Sequence, residues 1–147
     1  MPDTLRFADF KPGQRFRSAP RTITADEIKA FARDFDPQPF HMDEGAAAES
    51  LFGALAASGW HTAALAMRLN VDGGLPIAGG IISGAIDELR WPTPVRPGDT
   101  LTAENEVLEV IPSASRPGAG RVRAACRLVN QDGTVVFSYI ATLVVRS

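Results

Sequence analysis

At 147 residues, 45% hydrophobic and 22% charged, the chain has the length and composition of one ordinary globular domain, so residues 1–147 are expected to fold as a unit without disulfide or metal staples. A net charge of −2 leaves no basic excess for nucleic acid, and no run reaches the ~18 apolar residues of a membrane span. The single cysteine, Cys126, permits no disulfide within the chain, and the start Met1-Pro2-Asp3 lacks the basic-then-apolar pattern of a signal peptide; the expected setting is the reducing cytoplasm.

In chain order, Gln14 to Ala19 reads as a short edge strand. Thr24 and Glu27 have capping-box spacing, and Ile23 and Ile28 flank them as a hydrophobic staple. Ile28, Phe31, Ala32 and Phe35 then recur at helical spacing, which predicts a first helix with one apolar face. Pro37 ends it, because the residue before a proline is driven out of the α region. Asp36 to Phe40 is expected to be a turn, and a short helix is expected from about Asp43 to Ser50. Ser58 is placed as the N-cap of a helix from about Gly59 to Leu69, whose small apolar interior, Ala63-Ala64-Leu65-Ala66-Met67, predicts burial on all sides.

The second half reads as β: Ala85 to Trp91, Thr100 to Val110, Arg121 to Asn130 and Thr134 to Val145. Val122, Ala124, Cys126 and Leu128 alternate with Arg121, Arg123 and Arg127, so one face of that strand is apolar. Gln131-Asp132-Gly133 is a hairpin turn, with glycine supplying the positive φ. The last three strands form an expected antiparallel meander. Helices first and strands second indicate an α+β domain. A curved antiparallel sheet wrapped around a buried central helix, the hot-dog arrangement, accommodates this order.

Asp36-Pro37-Gln38-Pro39-Phe40-His41 carries the most chemical information. Two prolines stiffen the chain between a carboxylate and an imidazole, so their relation is partly set before a ligand arrives. Held on one water molecule, the two form an acid–base pair. Taken alone, an aspartate before proline also serves as an ordinary turn starter. With only two histidines, and an Asp-x4-His spacing unlike that of zinc ligands, no metal site is expected. Gly59, at the start of the central helix beside Ser58, supplies a free first-turn amide near the positive end of the helix dipole, where a ligand oxygen can be held. Glycine at that place equally serves tight packing of helix on sheet. Trp60 and His61 read as structural residues, the histidine with its hydrogen bonds satisfied. Cys126 reads as core. Arg90, Arg96 and Arg116 are the cations available for carrier phosphates.

From Phe31 to Leu69 the chain resembles the MaoC-like dehydratases, which include the (R)-specific enoyl-CoA hydratases. The matching residues are Asp36, Pro39 and His41, then Asp43, then Phe52-Gly53, then Ser58-Gly59 before the central helix. Glu88-Leu89-Arg90-Trp91-Pro92-Thr93-Pro94-Val95 leading to Pro97-Gly98-Asp99-Thr100-Leu101 extends the similarity. Gln38 stands where asparagine is common, and Ser58 where histidine is usual.

The resemblance implies a hydratase/dehydratase acting on an acyl thioester, by reversible hydration of a 2-enoyl-CoA to a 3-hydroxyacyl-CoA. Asp36 and His41 would be the catalytic pair, and Gly59, next to Ser58, would bind the thioester carbonyl through its amide. The acyl group would be carried by coenzyme A or acyl carrier protein, with no further cofactor, in a homodimer or dimer-based oligomer. An acyl-CoA thioesterase of the same fold, or a non-catalytic acyl-CoA-binding partner subunit, are the alternative readings.

Overall fold

A computed structural model describes residues 4–147. In chain order the regular elements are β1 (Arg15–Arg17), β2 (Arg21–Thr22), α1 (Ala25–Phe35), α2 (Pro39–Met42), α3 (Glu44–Ala48), α4 (Gly59–Leu69), β3 (Ser83–Arg90), β4 (Thr100–Pro112), β5 (Gly120–Val129) and β6 (Val135–Val145). The sheet is antiparallel in the order β1-β4-β5-β6-β3, with β2 paired to β4. It packs against α4, and the architecture is the hot-dog fold. The expected edge strand condenses to three residues, and β2 was not foreseen, because two exposed residues carry no periodicity.

Local signals account for most elements. The Thr24 hydroxyl accepts from the Glu27 amide at 3.2 Å, while the Glu27 carboxylate accepts from the Thr24 amide at 3.1 Å, closing the capping box of α1. Ile23 and Ile28 are fully buried beside it. Phe35, assigned by spacing to the apolar face, is instead 74% exposed at the end of α1. Gly133, at φ 75°, makes the β5–β6 turn, and Val122, Ala124, Cys126 and Leu128 all face inward as the alternation required.

Two apolar clusters fill the interior. One lies under α4 and gathers Ile23, Ile28, Leu65, Leu69, Leu101, Leu128 and Phe137. The other joins Phe7, Phe10, Ile77, Val107, Val122 and Leu143 at the far end. Between them sits a small polar knot: the Asn105 amide donates to Asn70 Oδ1 at 2.8 Å, and Asn70 Nδ2 donates to Tyr139 Oη at 3.3 Å, close to Cys126. Burial pushes the Cys126 thiol up, as suits an inert core cysteine.

Helix α4 departs from expectation on one side. Leu65, Ala66 and Leu69 are buried, but Trp60 is 60% exposed, Met67 40% and Val71 beyond it 62%. With Ala64 these positions form a single exposed apolar stripe at helical spacing. The edge strand β3 is exposed nearly throughout, with Ile86 and the neighbouring Ile82 bare. β3 is also kinked: Glu88 takes φ 53° where the register with β6 slips between Asp87 and Arg90.

Candidate active site

Asp36 is the C-cap of α1, its amide donating to the Ala32 carbonyl at 2.9 Å. Of the expected turn, Asp36 to Gln38 is non-helical, while Pro39 and Phe40 already belong to helix α2. Pro39, at the first position of α2, has a φ suited to helix and lacks only an amide hydrogen that the first turn would leave idle. That single turn swings His41 back toward Asp36. The Gln38 amide donates to Asp36 Oδ1 at 2.6 Å, so the residue that departs from the familiar asparagine still serves the carboxylate.

His41 is 4% exposed and tightly fixed. Its Nδ1 lies 2.7 Å from the Ala56 carbonyl oxygen. A carbonyl only accepts, so Nδ1 carries the hydrogen. In the neutral ring Nε2 is then an acceptor, and it faces Asp36 Oδ2 at 3.4 Å. Two acceptors face one another at a separation that calls for a proton donor between or beside them. Phe40 stands edge-on to the imidazole at 4.6 Å between ring centres, and Phe52 lies at 5.7 Å, which gives the Phe52-Gly53 segment its place as an apolar wall.

Ser58 is fully buried at the N-cap of α4, its hydroxyl accepting from the Trp60 amide at 3.3 Å. Burial pushes the Asp36 carboxyl up, but hydrogen bonding by Ser58 and Gln38 and the nearby His41 ring outweigh this and hold it below its ordinary value. Asp36, His41 and Ser58 thus meet at one spot, and Gly59 adjoins it as the first residue of α4. Its amide has no partner within the helix.

Gly59 owes its lack of a side chain to packing. A Cβ there would lie 3.0 Å from two atoms of the Trp91 indole, and that indole's Nε1 donates to the Gly59 carbonyl at 2.8 Å. Of the two sequence-based explanations for this glycine, packing on the sheet is the one the structure fills with atoms.

Three other expectations change. Trp60 is not core: its exposed ring stands edge-on to Trp91 with centroids 5.2 Å apart. His61 is buried and stacked flat on Phe31 at 4.6 Å, but its Nδ1 has no hydrogen-bond partner, so it is not a satisfied histidine. Arg96 is not a free surface cation: it is engaged by the chain itself. Its guanidinium donates to the carbonyls of Phe52 at 2.6 Å and Ala54 at 2.7 Å, pinning the loop that holds Phe52 against His41. In the sequence Trp91 stands out only within the stretch that carries the family resemblance. Its signal was a large aromatic fixed ahead of a proline.

Comparison with known proteins identifies the family of the chain. Residues 8–125 match the family model for the MaoC like domain, and the chain belongs to that family. It is 32% identical over 115 residues to the uncharacterized protein YdeM of Bacillus subtilis, covering 78% of this chain and 81% of that one. The crystal structure of a MaoC-like dehydratase from Rhodospirillum rubrum superposes with a TM-score of 0.94 at 54% identity, covering 97% of both chains. The (R)-hydratase PhaJ1 of Pseudomonas aeruginosa superposes with a TM-score of 0.80 at 30% identity, covering 98% of this chain and 87% of the other. No helix among the described residues is long and apolar enough to cross a membrane.

Proposed function

We propose that the protein reversibly hydrates a 2-enoyl thioester, most simply a 2-enoyl-CoA, to the 3-hydroxyacyl thioester. The observation that carries this reading is the facing of Asp36 Oδ2 and His41 Nε2 at 3.4 Å, with Nδ1 committed to Ala56. A water molecule bound by both would direct one hydrogen to each. As its oxygen bonds to the β-carbon, the C=C electron pair shifts toward the thioester, and one water proton passes to the pair. The same pair then returns a proton to the α-carbon. The enolate oxygen formed on the way is received by the Gly59 amide at the positive end of α4, where losing such a donor typically costs about 3–4 kcal/mol. Dehydration retraces these steps.

The reading needs no cofactor beyond the carrier on the substrate. It further assigns the protein to the cytoplasm and to a homodimer. The exposed stripe of Trp60, Met67 and Val71, together with Ile82, Ile86 and the open edge of β3, is the surface a second copy would cover.

Crotonyl-CoA and butyryl-CoA test the reading together. Loss of the enoyl absorbance from the first, with no free thiol from either, is the expected result. Free thiol from both would make the protein a thioesterase instead. Asp36→Asn and His41→Ala should each lower kcat by roughly a hundredfold or more with the fold retained, and full activity in either variant would remove the pair from the mechanism.

A further inference from the structure

The strongest unassigned constellation surrounds Gly59. Trp91 follows β3 and precedes Pro92, which confines its backbone to extended conformations. Its ring is held on three sides: over Gly59, edge-on to Trp60 at 5.2 Å, and tilted on the buried Phe137 at 5.6 Å. Its N–H makes a 2.8 Å bond to the Gly59 carbonyl, a contact that spans 32 residues and joins the sheet to the helix. At the same turn the Ser58 hydroxyl holds the Trp60 amide at 3.3 Å.

We propose that Trp91 is a positioning residue for the first turn of α4: it fixes the Gly59–Trp60 peptide from the sheet side, and so holds the Gly59 amide at a set angle to Asp36 and His41. A glycine at a helix start is otherwise the residue with most backbone freedom. An amide that must meet a developing oxyanion is useful only if it does not reorient when charge appears. Trp91 removes that freedom by covering the face of Gly59 where a side chain would stand and by bonding its carbonyl. The role rests on the hydration reading above. The packing relation between Trp91 and Gly59 stands apart from it.

Two measurements separate these. In thermal unfolding, Gly59→Ala should lower the midpoint clearly in the wild-type background, because its Cβ meets the indole. It should lower it little further in Trp91→Ala, where the space is free. Additive losses would overturn the contact as the reason for the glycine. With crotonyl-CoA, Trp91→Phe keeps an aromatic ring ahead of Pro92 but loses the N–H and the five-membered ring that lies against Gly59. It should reduce kcat roughly tenfold while KM stays within about twofold and the acid limb of the pH profile does not move. An unchanged kcat, or a fall in kcat matched by loss of folded protein, would overturn the positioning role alone. A wild type inert toward every enoyl-CoA offered would overturn the hydration reading and this role with it.

Discussion

At the scale of single residues, the candidate site is a set of dependencies around Asp36. The Ser58 hydroxyl helps hold its carboxyl below the ordinary value, against the opposing pull of burial. Removing that hydroxyl raises the Asp36 pKa toward the ordinary one. Ser58→Ala should therefore move the acid limb of the pH–rate profile to higher pH. It should also destabilise the fold by about 1 kcal/mol through loss of the α4 cap, measurable by urea unfolding.

His61 offers a second titration. Burial pushes its pKa below 6.5, with Glu27 opposing and Arg21 adding to the effect. The unfolded chain then binds the proton more readily than the folded one. The stability linked to His61 is complete above 6.5 and is lost as pH falls from there through the lowered folded value. His61→Phe keeps the stack on Phe31 without an unpartnered nitrogen, and should be stabilised relative to wild type at pH 5, by about 1 kcal/mol or more. A wild-type-minus-variant stability difference that stays flat between pH 7 and 5 would contradict this.

At the scale of elements, legibility followed local chemistry. The start of helix α1 could be read to the residue because a capping box and a staple are both written in adjacent positions. Thr24→Ala should lower stability by about 1 kcal/mol with the site unaffected, as denaturant midpoints and activity would show together. Helix α2 could not be read, because four residues starting at a proline show no period and Asp-Pro-Gln-Pro has the composition of a turn. The exposed side of α4 was hidden for a different reason. A helix apolar all round gives no contrast between the face that meets the sheet and the face left bare. The kink at Glu88 was likewise silent, since a glutamate at positive φ announces nothing in sequence. Glu88→Gly relieves that backbone and should raise stability slightly, whereas Glu88→Val should lower it by 1 kcal/mol or more, to order of magnitude.

At the scale of the whole molecule, the meander of β4, β5 and β6 and the central helix emerged from hydrophobic alternation and element order alone. The partners that tune the site did not. Gln38 was visible only as a departure from a familiar pattern, and Trp91 and Arg96 act across long sequence separations that no local signal marks. The exposed stripe on α4 and the bare edge of β3 carry the prediction that belongs here. The protein should sediment at twice the chain mass at micromolar concentration, and Met67→Glu should shift it toward monomer by burying a charge without a partner.

Arg96 has one more consequence. Asp36, His41, Ser58 and Gly59 all lie in the first 59 positions, yet the wall beside His41 is held by an arginine, and the turn bearing Gly59 by a tryptophan, both supplied after β3. The reactive segment is accordingly not portable. Grafted onto another scaffold without its later cross-braces, it would carry the right side chains and none of their bearings. On the proposed reading, drift in the loop that follows β3 would retune turnover while leaving Asp36 and His41 in place.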